Sequence, residues 1–310
     1  PAEAHGWVVI GRPDDDGVLL VHLPPRRGSA HGETAGVARR ARVLESRPIG
    51  MAAHGRELVM VFEGEPRRVL SIHAVPSALD GIWQDSPAGR MTPLPPLPAE
   101  GELAGLAMPA GRAAALIRLP DGWRLLELID GGWTERPAPS GLAVDAGVAV
   151  FAEEASLSIV RSGTEPAVFT RPDPDSGWTE RRLAIPAASR PIGLIRGDVV
   201  AAVPSGAVSD GGVSDELVSD GPVSDAQGSP GLELVLAGAG GVSRLAEIGL
   251  PDSAVDGGPG LAVIPDESGR LAMVWMARDG EGGIASMVRE LSLSTGRVLY
   301  DGPVSRVLPV

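Results

Sequence analysis

Short apolar runs separated by charged or glycine-containing turns fill this chain. Arg56–Val75, RELVMVFEGEPRRVLSIHAV, holds two runs rich in apolar and β-branched residues, joined by a charged turn. The same layout returns in Arg112–Gly131 and in Arg270–Leu291. Runs of this length and composition predict the strands of antiparallel hairpins. The longest stretch without Gly or Pro is Val148–Ser162, which leaves little room for helices of ordinary length.

Two five-residue words recur along the chain. GWTER stands at Gly132–Arg136 and Gly177–Arg181, and SRPIG stands at Ser46–Gly50 and Ser189–Gly193. The gaps agree on one period of about 45–50 residues. A weaker strand precedes each predicted hairpin and another follows it, so each period contains four strands. Four short strands repeated in this way predict an all-β fold, a β-propeller of four-stranded antiparallel blades.

The period divides residues 1–310 into a single propeller domain. We predict six blades, with seven as the alternative, and the six have bounds at about 1–47, 48–98, 99–140, 141–188, 189–251 and 252–310. A ring of blades must join its first and last sheet, or sheet edges stay open. Because SRVLPV (Ser305–Val310) resembles the start of SRPIGM and SRPIGL, we expect the C-terminus to supply the innermost strand of the first blade. The two chain ends would then close the ring.

Three tryptophans, Trp83, Trp133 and Trp178, recur where the outer strand is expected to begin. A large flat side chain there can fill the wedge between neighbouring blades, so we assign all three a structural role. The order of Trp, (Leu/Ile)-Pro, Arg, Gly and an apolar run in Trp178–Val203 resembles a kelch-type blade, without the double glycine that kelch blades carry after the second strand. This resemblance implies a domain that binds other proteins.

Composition narrows the function classes. The chain has 42 Gly and 29 Pro, about twice the usual share, and 43% of its residues are hydrophobic, as expected for many turns around a packed core. Lys, Asn and Cys are absent while Arg, Ala, Gly, Pro and Val abound, which indicates a bacterial genome of high GC content. The lack of Cys excludes disulfides, thiolate metal sites and a Cys nucleophile.

The net charge of −13 argues against nucleic acid and anionic membrane surfaces as partners, because both call for basic patches. No apolar run approaches the roughly 18 residues that a membrane span needs. The compartment stays open between cytoplasm and periplasm or exterior. Since the chain begins at Pro1 rather than Met, a trimmed initiator Met, a leader or a neighbouring domain could precede it.

In a propeller, the turns between second and third strands share one face with the connections between blades. We expect these turns to be acidic and define the predicted acidic rim as Asp14, Asp15, Asp16, Glu63, Glu65, Asp121, Glu153, Glu154, Asp279 and Glu281. Such a face would attract a basic protein or a cation. Asp and Gly are also the ordinary residues of hairpin turns, which is the structural alternative.

An acidic low-complexity insertion is expected at residues 205–230, between the second and third strands of blade 5. Within it the triplet VSD repeats every five residues over Ala207–Asp225, which favours an irregular surface loop over a multivalent acidic arm. DDDG (Asp14–Gly17) and DPDSG (Asp173–Gly177) resemble fragments of calcium loops. Neither supplies six oxygens locally, so plain turns are favoured and weak calcium binding is the alternative.

No catalytic motif stands out. His22 and His73 are expected at equivalent third-strand places of adjacent blades, which does not bring three or four metal ligands together. We therefore predict a non-catalytic binding or scaffold domain, with no cofactor or metal, that engages a protein partner as part of a larger assembly. The alternative is a propeller hydrolase or lyase acting on a carbohydrate or small molecule in the central funnel. It needs carboxylates roughly 5–9 Å apart, and a funnel lined by Gly, Ala and Val would count against it.

Overall fold

A computed structural model describes most of the chain. The described residues are 6–11, 18–23, 40–73, 91–204, 208–209, 212–213, 232–248, 260–264, 269–278, 284–304 and 306–308. Strands dominate them, and the one helical element is a single 3₁₀ turn at Pro109–Gly111.

The strands form six four-stranded sheets, called blades 1 to 6 in chain order. The first three contain the following strands. Blade 1 has β1 (Gly6–Gly11), β2 (Val18–Leu23), β3 (Arg40–Leu44) and β26 (Arg306–Leu308); blade 2 has β4 (Gly50–His54), β5 (Glu57–Phe62), β6 (Arg67–His73) and β7 (Thr92–Leu97); blade 3 has β8 (Glu102–Ala107), β9 (Ala114–Leu119), β10 (Gly122–Ile129) and β11 (Gly132–Arg136).

The remaining blades follow the same plan. Blade 4 has β12 (Val148–Glu153), β13 (Ser156–Arg161), β14 (Ala167–Arg171) and β15 (Thr179–Arg182); blade 5 has β16 (Arg190–Ile195), β17 (Asp198–Pro204), β20 (Leu232–Gly238) and β21 (Gly241–Ile248); blade 6 has β22 (Gly260–Ile264), β23 (Arg270–Arg278), β24 (Ile284–Ser292) and β25 (Val298–Pro303). β18 (Val208–Ser209) and β19 (Gly212–Val213) pair as a small hairpin within the predicted insertion. The predicted all-β fold of four-stranded antiparallel blades is confirmed.

The first strand of each blade lies innermost. From β4 onwards, each of these strands contacts the next one in the order β4, β8, β12, β16, β22 and β1. Blade 1 combines both ends of the chain, as expected for a ring closed by its termini. The predicted position of the C-terminal strand is wrong, because β26 pairs in parallel with β3, Arg306 opposite Arg40, at the outer edge of the blade. The innermost place is already occupied by β1.

Apolar contacts between successive blades form the core. Six buried clusters each join two neighbouring blades, and together they cover all six junctions of the ring. At the junction of blades 1 and 2, Trp7 and Leu20 pack with Met60 and Phe62. At the junction of blades 6 and 1, the cluster continues from β23 and β24 into β1 and β2. The ring is therefore closed by side-chain packing as well as by β26.

Glycines allow the inner strands to approach one another. A Cβ added at Gly193 would lie 2.4 Å from the Cβ of Val263, and one at Gly105 would lie 2.6 Å from Cγ2 of Val150. Real Cβ atoms do not approach so closely, and the Cβ of Val263 is fixed by its own backbone. Small residues are therefore required where neighbouring blades converge on the axis.

We expect Gly193→Ala to lower the free energy of unfolding by about 1–3 kcal/mol, because the new methyl group must push the strand of Val263 away. Gly177→Ala is the matched control, since nothing lies within 4 Å of a Cβ at that position. Urea unfolding followed by tryptophan fluorescence measures both. Equal stability of the two variants would show that the inner strands are not in such close contact.

Candidate functional site

Contacts between neighbouring blades define one face of the ring. Both carboxylate oxygens of Glu153 accept hydrogen bonds from backbone N–H groups of the next blade, those of Arg196 and Gly197, at 2.5 and 2.6 Å. The backbone N–H of Ala110 in blade 3 donates to the carbonyl oxygen of Glu154 at 2.7 Å. All these residues belong to connections between first and second strands. We call the face that they share the bottom face, and the opposite face the top face.

The structure divides the predicted acidic rim between the two faces. Glu63, Glu65 and Asp121 lie in turns between second and third strands, at the top face, and are exposed. The prediction that Glu153 and Glu154 belong to the same rim is wrong, because they connect the first and second strands of blade 4. Asp14, Asp15, Asp16, Asp279 and Glu281 lie outside the described residues.

Glu153 contributes to the contact between blades 4 and 5. Its carboxylate binds two consecutive backbone N–H groups in the turn at Arg196 and Gly197, and so links blade 4 to blade 5. Hydrogen bonds to an ionised acceptor are stronger than neutral ones. This carboxylate is therefore engaged within the protein.

The top face carries acidic residues that the sequence analysis missed. Glu165 lies in the turn between β13 and β14 and is exposed, and Asp145 lies exposed in the connection from blade 3 to blade 4. Glu100 lies between blades 2 and 3 and accepts a hydrogen bond from Arg124 at 3.0 Å. Glu165 could have been found from the sequence, because it belongs to the acidic turn SGTEP (Ser162–Pro166). Counting β12 and β13 as the first and second strands of blade 4 places this turn between second and third strands, at the top face.

Trp133 and Trp178 each connect their own blade to the preceding one. The indole N–H of Trp133 donates to the carbonyl oxygen of Pro95 in β7 at 3.0 Å. That of Trp178 donates to the carbonyl oxygen of Pro137, just after β11, at 2.9 Å. Both indoles are half-buried and pack against the apolar clusters between blades. Trp83 lies outside the described residues.

A cavity of about 520 Å³ lies at the centre of the ring. It is bordered mainly by the inner strands and by the residues that precede them, so it is reached from the top face. Small and apolar residues dominate its lining, which consists of Gly50, Met51, Ala104, Gly105, Leu106, Gly147, Val148, Ala149, Val150, Phe151, Ser162, Ser189, Arg190, Pro191, Ile192 and Leu261. Among these residues Arg190 is the one charged side chain, and there is no Asp, Glu or His.

Charged residues also meet between blades 3 and 4, away from this cavity. The guanidinium of Arg171 in β14 forms an ion pair with the carboxylate of Glu127 in β10, and each side chain is 3% exposed. Arg136 lies 3.6 Å from the second oxygen of Glu127. Arg171 also lies over the ring of Trp178, 5.3 Å from its centroid. Because the Glu127 and Arg171 side chains are both buried, we assign this ion pair to the packing of the two blades.

We expect Glu127→Ala to destabilise the protein by about 3–5 kcal/mol, since it leaves the Arg171 guanidinium buried without a counter-charge. Glu127→Leu combined with Arg171→Met should recover most of that loss, because both charges are then removed together. Chemical denaturation of the three proteins is the measurement. If Glu127→Ala were as stable as the parent, the ion pair would have no stabilising role.

The two histidines singled out by the sequence are not equivalent. His22 lies in β2, the second strand of blade 1, and His73 ends β6, the third strand of blade 2, so their predicted common place is wrong. The ring of His22 packs on that of Trp7, with centroids 4.4 Å apart. Among the described residues no three His, Asp or Glu side chains form a group that could hold a metal ion. Nor does this part of the chain contain a helix with the length and apolarity of a membrane span.

DPDSG (Asp173–Gly177) forms a turn whose first residue, Asp173, accepts hydrogen bonds from later residues of the same turn. The carboxylate of Asp173 accepts hydrogen bonds from the backbone N–H of Asp175 at 3.0 Å and from the hydroxyl of Ser176 at 2.5 Å. These bonds, that from Ser176 first, hold the pKa of Asp173 below its ordinary value of 3.8. The turn is self-contained, in line with the plain-turn interpretation, while Asp14–Gly17 lies outside the described residues.

We expect Ser176→Ala to raise the pKa of Asp173 towards 3.8, because the largest contribution to its lowering is lost. A lowered pKa favours the folded state above 3.8, and this contribution disappears as the pH falls through the folded-state pKa. An NMR titration of the Asp173 carboxyl carbon measures the shift. Ser176→Thr retains the hydroxyl and should keep the pKa low; if both variants leave it unchanged, the hydroxyl is not its cause.

Comparison with known proteins gives a fold and no family. No protein-family model matches the chain, and no curated protein matches it in sequence. The structure is similar to TolB from Acinetobacter baumannii, with a TM-score of 0.53 and 12% identity over 100% of this chain and 68% of that one. At this identity the likeness shows the β-propeller fold alone.

Two further matches have lower TM-scores. Trypanosoma rangeli sialidase gives 0.48 with 12% identity, over 93% of this chain and 55% of that one. Aleuria aurantia lectin gives 0.43 with 10% identity, over 99% and 98%. A shared fold does not by itself decide between catalysis and binding.

Proposed function

We propose that this propeller is a non-catalytic binding domain that captures a protein partner through carboxylates at its top face. The observation that carries the proposal is the exposure of Glu63, Glu65, Asp121 and Glu165 on neighbouring turns of blades 2, 3 and 4. Loops held at one end of a rigid ring are a common place for recognition. The resemblance to kelch-type blades supports a protein as the ligand.

Nearby cations leave much of this negative charge available. The guanidinium of Arg67 is 7% exposed and donates to the carbonyl oxygens of Pro98 and Gly101, at 2.9 and 2.5 Å. It reaches Glu63 only at 3.9 Å, and the Glu63 side chain is 75% exposed. A surface with unneutralised carboxylates attracts a basic partner and accelerates its association.

The lining of the central cavity favours binding over hydrolysis. A propeller hydrolase or lyase of the kind considered would need two carboxylates facing one substrate, and none of the residues that line the cavity is acidic. Gly, Ala and Val contribute much of the wall instead. For the described part of the chain, this composition supports the predicted non-catalytic domain over the hydrolase or lyase alternative.

We expect Glu63→Lys combined with Asp121→Lys to weaken capture of the partner about tenfold at low salt, because two attractive charges become repulsive. The partner is isolated from extracts of the source organism on immobilised protein and quantified by mass spectrometry. Its capture by the parent protein should fall as the salt concentration rises, since salt screens exposed charges.

The matched control is Glu154→Lys combined with Asp175→Lys, which makes the same change of net charge at exposed positions of the bottom face. This control should capture the partner as well as the parent does. Equal losses with both pairs would indicate a general charge effect, and no loss with the top-face pair would exclude the acidic turns as the binding surface.

A further inference from the structure

The outer strand of blade 2 contains a repeat of three residues. The sequence PLPPLP over residues 93–98 is the unit PLP written twice, and all but its last residue belong to β7. An ordinary strand alternates its sides every two residues, whereas a polyproline II helix has three residues per turn. The pairing with β6 fits the longer period. Leu94 lies opposite Val69 and Leu97 opposite Arg67, so three steps along β7 match two along β6.

Burial in this segment follows the same period. Leu97 is fully buried, and Leu94, three residues earlier, packs against the apolar cluster between blades 2 and 3. Pro93 and Pro96, which are also three residues apart, are both exposed. One side of the segment is therefore anchored in the core while another faces solvent.

Backbone hydrogen bonds hold the third side. The carbonyl oxygen of Pro95 accepts a hydrogen bond from the indole N–H of Trp133 at 3.0 Å. The carbonyl oxygen of Pro98, three residues further on, accepts one from the guanidinium of Arg67 at 2.9 Å. The segment is thus fixed on two sides by its own protein, and the exposed rings of the remaining side have a defined position.

Protection of a sheet edge does not account for this arrangement. Prolines in an outer strand hinder pairing with another chain because they lack an N–H group, but that role requires no particular spacing. The outer strands β11 (GWTER) and β15 (TERR) carry charged residues instead. Two exposed prolines one turn of a polyproline II helix apart, about 9 Å, match the spacing that proline-binding grooves recognise.

The chain that follows this segment is acidic. Glu100 and Glu102 form ion pairs with arginines of blade 3, yet their side chains remain 71% and 68% exposed. A partner that contacts the two prolines meets these carboxylates just beyond them. Charge complementarity therefore favours basic residues at that end of its binding groove.

We propose that Pro93 and Pro96 form a docking ridge, called the proline ridge, for a partner protein with an aromatic groove that recognises polyproline II segments. Each ring would fill one shallow apolar pocket of the groove, with basic residues of the partner facing Glu100 and Glu102. Because the fold already holds the segment in its bound form, little conformational entropy is lost on docking. The proline ridge is separate from the acidic turns, so it does not rest on the function proposed above.

Capture of the partner on the immobilised full chain, followed by elution with a peptide, tests the proline ridge. The peptide TPLPPLPA copies residues 92–99, and TALPALPA is the control that lacks the two exposed prolines. We expect the first peptide to release a captured protein that the second does not release. Isothermal titration calorimetry of that purified protein should give saturable binding of TPLPPLPA, at least tenfold tighter than binding of the control.

Two pairs of substitutions connect the binding to the proline ridge. Pro93→Ala combined with Pro96→Ala should weaken binding of the released protein at least tenfold. Pro120→Ala combined with Pro172→Ala is the matched control, because it removes two exposed prolines that lie in separate turns, and it should bind as the parent does. Circular dichroism confirms that each variant is folded.

The charges beside the proline ridge have their own variant. Glu100→Gln combined with Glu102→Gln should weaken binding several-fold and reduce its dependence on salt. Glu63→Lys combined with Asp121→Lys, in the same assay, separates this proposal from the function proposed above. Loss of capture in that pair together with full binding by the Pro93→Ala and Pro96→Ala pair assigns the partner to the acidic turns and overturns the proline ridge.

Three further results overturn the proposal. They are the absence of any captured protein that TPLPPLPA releases, equal binding of the released protein to both peptides, and equal losses of binding in the two proline pairs.

Discussion

The packing of each sheet against its two neighbours is the constraint on which the rest of this protein depends. Six apolar clusters cover the six junctions, so every blade is buried on both sides. The space between two blades narrows towards the axis and widens towards the rim. Gly105 and Gly193 stand where it is narrow, and the indoles of Trp133 and Trp178 stand where it is wide. At these four positions side-chain size follows the width of the wedge.

The position of a charged residue within this ring determines what it does. The carboxylate of Glu127 is buried between two blades with Arg171, and that of Glu153 holds two N–H groups of the adjacent blade. At the top face Glu63 and Asp121 extend into solvent. Arg190 is the one charged residue among those that border the central cavity. Residues with one kind of charge thus hold blades together at some places and are exposed to solvent at others.

Much of the fold could be predicted because alternating apolar runs and turns have a local signature. RELVMVFEGEPRRVLSIHAV contains β5 and β6, and RAAALIRLPDGWRLLELIDG contains β9 and β10. The errors concern which strand of the blade a run provides. The prediction that VAVFAEEASLSIVR provides second and third strands is wrong, because it forms the first and second strands of blade 4, and Glu153 and Glu154 therefore lie at the bottom face. Similarly, SRVLPV was expected innermost, yet β26 pairs at the outer edge.

The sequence by itself determined the strands, the four-strand repeat and the absence of thiol chemistry, because each of these depends on neighbouring residues or on composition. Only the tertiary structure decided the order of strands, the face reached by each turn and the lining of the central cavity by residues of five blades. These depend on contacts between blades that are distant in the chain. A run of apolar residues pairs as well at the inner as at the outer edge of a sheet, and packing around the axis selects between them.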